Sequence, residues 1–217
     1  MMHFSILFDN WDVFLTGFGN TLKSSLLALI GSFILGNFLA IMRLSTYRIL
    51  RVISSGYIEF VRNIPLLLIV LIFFLAFPSM GIPLDGFTAG TIGLTVYTAA
   101  FIAEVLRAGI LSIESGQTEA ARASGLTYFQ TLRFVILPQA IKIVIPPLGN
   151  QFLNLVKNSS VLSIVSGFDL MYYGDIIASE TFVTFDVYIF VAVFYLILTI
   201  PLSFAVRYME SRLARNY

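Results

Sequence analysis

Five stretches of this chain are each long and apolar enough to cross a lipid bilayer, a passage that takes roughly 20 mostly apolar residues. They run over about residues 21–42, 58–77, 87–111, 136–165 and 187–208. Lipid offers no water to bare backbone, so a spanning chain must close its hydrogen bonds as helices or as a sealed barrel. Runs of this length, such as LLLIVLIFFLAF in the second stretch, read as helices rather than alternating strands. The predicted class is an all-α integral membrane protein with five transmembrane helices, a single domain over residues 1–217. Composition agrees: only 12% of residues are charged, against about a quarter in soluble domains, which excludes a soluble enzyme. The third stretch is rich in small residues. The fourth carries Pro138, Pro146, Pro147, Gly149 and Lys157, so its helix is expected to break. The fifth holds Pro201. The first residues, MMHFSILFDNWDVF, have neither a basic start nor a small-residue cleavage site and do not read as a signal peptide.

Orientation follows from the cations. Five spans put the ends on opposite faces. With the N-terminus outside and the C-terminus cytoplasmic, the inner face receives Arg43, Arg48, Arg51, Arg62, Arg107, Arg122, Arg133, Lys142, Arg207, Arg212 and Arg215, which is 11 of the 13 basic residues. That satisfies the positive-inside rule. Asp9, Asp12, Asp85, Asp169, Asp175, Glu180 and Asp186 fall outside, an acidic face suited to a docking partner.

Much chemistry is absent. With no cysteine and His3 as the single histidine, there is no thiolate or cysteine-ligated metal, no HExxH zinc site and no histidine-based triad, so no catalytic or metal residues are assigned. A net charge of +1 gives no footprint for nucleic acid. The segment GFGNTLKS, Gly17 to Ser24, misses a phosphate-binding loop because Leu22 stands where a glycine is required, and reads as a turn and helix start.

Residues 112–135 form the longest connection between spans and the most polar stretch. Thr118 is placed to cap a helix starting at Glu119. Gly125 interrupts it, a second short helix fits from about Tyr128 to Phe134, and Pro138 opens the next segment. The sequence here resembles the EAA loop of binding-protein-dependent ABC importer permeases, whose pattern is EAA, three residues, Gly, nine residues, then I-x-L-P. Glu119, Ala120, Ala121, Gly125, Leu137 and Pro138 match in register, and Val135 replaces the isoleucine. YIEFVRNIPLL (Tyr57–Leu67), AEVLRAGI (Ala103–Ile110) and LPQAIKIVIPPLGNQFLNLVKNSS (Leu137–Ser160) extend the similarity to the polar amino-acid subfamily. The resemblance implies a type I permease of the bacterial cytoplasmic membrane, paired with a second permease subunit. It implies two cytoplasmic ATPase subunits that carry ATP and magnesium, coupled through the EAA loop, and an extracytoplasmic binding protein that delivers substrate. This chain would bind no cofactor itself.

A charge at membrane depth costs about 2.5 to 3.5 kcal/mol unless paired or hydrated. Lys157 is the clearest case, and Asn158, Ser159 and Ser160 follow it; the substrate path is expected beside this run. Lys157 could equally snorkel or hold an ion pair, and the other three could bond helix to helix. Tyr97 and Thr98 on the third span could face the same cavity or pack against a neighbouring helix. Glu59 with Arg62, and Glu104 with Arg107, are expected as i, i+3 ion pairs. The membrane-depth segment offers a lysine, an amide and hydroxyls but no carboxylate, which favours glutamine, glutamate or aspartate over arginine, lysine or histidine. A gradient-driven secondary transporter is the rival class; the short length, the lack of an inverted repeat and the EAA loop stand against it.

Overall fold

A computed structural model describes residues 3–214. It contains no strand among the described residues. Helix α1 (Phe4–Asp9) leads into α2 (Trp11–Leu44). Then come α3 (Arg48–Arg62) and α4 (Leu66–Ser79), followed by α5 (Gly86–Leu111), α6 (Ser115–Ala123), α7 (Tyr128–Val165), α8 (Leu170–Thr181) and α9 (Thr184–Ala214). α2, α5, α7 and α9 are each long and apolar enough to cross a membrane, and α3 with α4, a bent pair, makes a fifth candidate when the two count as one span.

α5 is the centre of the bundle, and its sequence explains why. Gly86, Ala89, Gly90, Gly93, Ala99, Ala100, Ala103 and Gly109 are all buried along it, and small residues let neighbouring backbones approach closely. A Cβ at Gly93 would stand 2.8 Å from the Val70 side chain of α4, and one at Gly109 would overlap Val144 of α7. α2 answers with its own small buried face of Gly17, Thr21, Ser24, Ala28, Ser32 and Gly36. Near the N-terminal end, Phe14 stacks on Phe194 at 5.6 Å, and Trp11, Phe18 and Phe4 pack around the same α9 face. This aromatic clamp ties the first and last spans together.

Four expectations change. GFGNTLKS is not a turn: it lies inside α2, which begins ten residues before the expected span, at Trp11. The second passage is bent by 108° around Asn63–Pro65, because proline cannot donate its backbone N–H and pushes the preceding residue out of helical geometry. The fourth passage does not break at its prolines. α7 stays helical through Pro146 and Pro147, where Val144 packs on Gly109 and Gly149 on Val206; enclosing helices make an internal proline tolerable. Its irregular parts are a wide π turn at Leu132–Ile136 and a tight 3-10 end at Ser159–Val165. Lastly, Asp169 and Asp186 are not surface acids. Asp169 is fully buried and caps α8 by accepting from the N–H groups of Met171 and Tyr172, both at 3.2 Å, while Asp186 accepts from the His3 N–H at 2.7 Å. Burial pushes the Asp169 carboxyl up to about 6, against the pull of those two donors. Of the acids expected outside, Asp9, Asp12, Asp85 and Glu180 are exposed and Asp175 is half-buried. Arg215 lies outside the described residues.

Candidate functional site

The loop between α5 and α7 folds as a short helix with both ends finished. α6 starts at Ser115, four residues before the expected position, with Glu114 at its N-cap and no side-chain cap, so Thr118 is internal and does not cap. Glu119 and Ala120 are exposed and Ala121 is buried. At the C-terminal end Gly125 takes φ +86°, the Leu126 N–H donates to the Ala121 carbonyl at 3.2 Å, and the Gly125 N–H donates to that of Arg122 at 3.0 Å. This is a Schellman stop, which a glycine accepts without steric cost. Two residues on, Thr127 and Gln130 form a reciprocal capping box that starts α7. The expected short second helix is therefore the first turn of α7 and continues through the π turn into Leu137 and Pro138. Just beyond that turn the Gln139 side-chain amide donates to the Val135 carbonyl at 2.8 Å.

Further along α7, Asn150, Asn154 and Lys157 are all exposed. Their spacing of four and three puts them on one helix face. An isolated amide in hydrocarbon costs about 4 to 8 kcal/mol, so this face meets water or polar protein rather than lipid. Asn150 and Asn154 are absent from the sequence-based set; their i, i+4, i+7 spacing with Lys157 inside an apolar span is the signal that identifies them.

Lys157 and Ser160 also line a recess of about 620 Å³ with Tyr188, Tyr195 and Thr199 of α9. The other expected pathway residues divide. Ser160 donates to the Lys157 carbonyl at 2.9 Å, Ser159 is buried and donates to Val156 at 2.7 Å, and Asn158 is half-buried. Tyr97 packs against Phe101 at 4.9 Å in a cluster with Val61 and Ile69, and Thr98 is buried. Neither of these two lines the recess.

Where the arginine-rich ends of α2, α3 and α5 converge, Glu104 accepts from Arg107 at 2.5 Å, with Arg43 at 3.7 Å and Arg62 at 4.0 Å. The expected Glu104–Arg107 pair forms. Glu59 pairs instead with Arg43 at 3.6 Å, because Arg62 turns over the Phe101 ring at 5.5 Å and towards Glu104. This network joins three helices, a job the i, i+3 reading did not give it.

A family described as "binding-protein-dependent transport system inner membrane component" matches residues 14–215. The chain belongs to that family. Over its full length it is 59% identical to the probable glutamine ABC transporter permease protein GlnM of Bacillus subtilis, with 100% of each chain covered. The glutamate transport system permease protein GluC of Corynebacterium glutamicum is 36% identical over 92% of this chain and 93% of its own. Among solved structures, an amino acid ABC transporter crystallised with histidines superposes with TM-score 0.92 at 35% identity, covering 98% of this chain and 99% of that one. The MetNI methionine ABC transporter superposes at TM-score 0.75 and 23% identity over 93% and 96%, a likeness of fold. The protein is thus an amino-acid ABC importer permease of the type I fold, a multi-pass membrane component and not an enzyme. The ATPase is a separate subunit in such transporters.

Proposed function

We propose that this permease carries L-glutamine, or a closely similar polar amino acid, into bacterial cytoplasm along a path bordered by the Asn150, Asn154 and Lys157 face of α7 and by Ser160. The observation that carries the reading is the polar stripe itself, since it is exposed on a lone subunit and intolerable against lipid. Two carboxamides and an ammonium match a substrate with a carboxamide side chain and an α-carboxylate. The relatives named for glutamine and glutamate support the choice. A second permease subunit closes the path opposite this face.

The N-terminus is outside and the C-terminus cytoplasmic, as the cation distribution favours. An extracytoplasmic binding protein docks near Asp9, Asp12, Asp85 and Glu180. Glu119, Ala120, Ala121, Gly125, Leu137 and Pro138 form and position the coupling element that two ATPase subunits, bearing ATP and magnesium, engage from the cytoplasm. One observation favours a second substrate: the solved transporter with 35% identity was crystallised with histidines. Uptake of radiolabelled glutamine into vesicles holding the assembled importer, competed with each amino acid in turn, tests the assignment. Competition by glutamine, glutamate or aspartate is expected, and competition by arginine, lysine or histidine alone would replace it with the basic class.

A further inference from the structure

Beside the ion-pair network, at the same end of the molecule, lies an open recess of about 760 Å³ lined by Arg43, Arg48, Arg51 and Arg107 together with Ser45 and Ser55. No acidic residue is among its lining residues. Glu104 engages Arg43 and Arg107. Arg48 and Arg51 pair with no carboxylate among the described residues; Arg51 donates only to the Ser45 and Thr46 carbonyls, at 3.1 and 3.3 Å. Arg43 Nη1 is buried and makes no hydrogen bond, although the Glu104 carboxylate lies 3.7 Å away. The recess therefore presents a surplus of guanidinium donors, with hydroxyls beside them, and nothing of opposite charge in its wall.

Its rim is of a different kind. α3 exposes Ile49, Val52 and Ile53, at 74%, 62% and 57%, next to Arg48 and Arg51. Arg43 is the penultimate residue of α2, and Arg107 stands four residues before the end of α5, so the recess sits where two spans leave the hydrocarbon. A positively charged pocket at this depth, continuous with an apolar helix face, fits a molecule that is anionic at one end and apolar at the other. A soluble acidic protein would meet the arginines but would strand the isoleucines and valine in water.

We infer that this recess binds the phosphate-bearing headgroup of an anionic phospholipid, with Arg48 and Arg51 as its principal contacts and the α3 face taking the acyl chains. Leu111 lines both this recess and the one beneath Ser115 and Thr118 of the coupling element, so the lipid lies next to the part that meets the ATPase.

The test is lipid binding, which is independent of the transported substrate. Native mass spectrometry of the detergent-extracted importer should show phosphatidylglycerol retained in preference to phosphatidylcholine. In Arg48→Gln/Arg51→Gln, phosphatidylglycerol affinity should fall about thirtyfold, as each basic side chain at an anionic surface is worth roughly fivefold. Arg207→Gln, at the same end but outside the recess, should leave it unchanged. Arg48→Lys/Arg51→Lys should recover most of the binding. Equal retention of the two lipids by the unaltered protein would overturn the inference even if the variants failed to fold. Displacement by millimolar inorganic phosphate would also overturn it, and would assign the recess to a free anion. Loss of the ATPase subunit from the glutamine variant with lipid retention intact would make the surface a protein-docking site instead.

Discussion

If the Asn150, Asn154 and Lys157 face borders a water-filled path, its positions will react with water-soluble reagents although they lie within an apolar span. Two carboxamides turned to hydrocarbon would cost about 8 to 16 kcal/mol, as much as the entire stability of a typical domain, about 5 to 15 kcal/mol. Lys157 would add about 3 kcal/mol. That sum cannot be absorbed, so the face must be wet or polar-packed. The chain has no cysteine, so a single introduced thiol reports without background. Asn150→Cys and Asn154→Cys in the assembled importer should react with a membrane-impermeant maleimide at pH 8, where roughly a quarter of a hydrated thiol is ionised. Two positions calibrate the result. Ile34 belongs to an apolar exposed stripe on α2 with Ile30, Phe38 and Ile41, and Leu155 is 1% exposed. Thiolate does not form in hydrocarbon, so labelling at 150 and 154 should exceed that at 34 and 155 by at least about tenfold. Rates at 150 and 154 no faster than at 34 would refute the aqueous path.

Gly125→Val should leave membrane insertion intact but uncouple ATP hydrolysis from uptake. No atom crowds the position, so the damage comes from φ +86°, which costs a side-chain-bearing residue about 1 to 2 kcal/mol; normal substrate-stimulated hydrolysis would contradict this. Gly86→Ala should lower thermal stability by about 1 to 3 kcal/mol, because its Cβ would collide with the Val165 carbonyl where the start of α5 meets the end of α7, and an unchanged melting temperature in detergent would show the contact to be absent. Asp169, raised to about 6 in the fold from 3.8, keeps its proton better folded than unfolded. Its effect on stability is therefore most favourable below about pH 4 and worsens by up to about 3 kcal/mol as pH rises to about 6. Asp169→Asn retains a capping side chain and should flatten that decline in thermal unfolding between pH 5 and 7.5; parallel pH profiles for the two proteins would count against it. Glu104→Gln leaves Arg43, Arg62 and Arg107 without their shared anion and should destabilise the protein by about 1 to 3 kcal/mol, discounted for partial exposure, an effect that high salt should reduce.

The spans were legible because hydropathy responds to length, and α5 ends within one residue of where its pattern places it. Local rules failed where tertiary context decided. Thr118 is a good cap by type, yet α6 begins earlier because Ser115 and Gly116 continue the helix. Pro146 and Pro147 carry the strongest breaker signal in the chain, but packing on α5 and α9 holds the helix through them, while the single Pro65, with no such enclosure at the bend, turns its segment by 108°. Asp169 and Asp186 group by sequence with the acids expected outside, since sequence records side of the membrane and not depth of burial. At the candidate site the contiguous pattern from Glu119 to Pro138 is legible in the sequence, and the structure gives it a short helix, a glycine stop and a capped helix start. On the polar face of α7, Lys157 is legible by its charge, whereas Asn150 and Asn154 become visible only when the helix is known to be unbroken, because a break would destroy the common face.

The π turn at Leu132–Ile136 lies between the coupling element and that face. A π turn holds one residue more than the surrounding α-helix, and each residue of an α-helix advances about 100° around the axis. One residue added to a regular helix would swing everything beyond it by that angle, whereas the wider turn absorbs the extra residue and keeps Asn150, Asn154 and Lys157 in phase with the start of α7. Removing one residue from the turn would restore regular winding and leave Asn150, Asn154 and Lys157 on nearly the same side, but it would shorten the separation of Gly125 from Leu137 and Pro138 that the motif requires, so the turn holds the motif's spacing and the direction of the polar face at once.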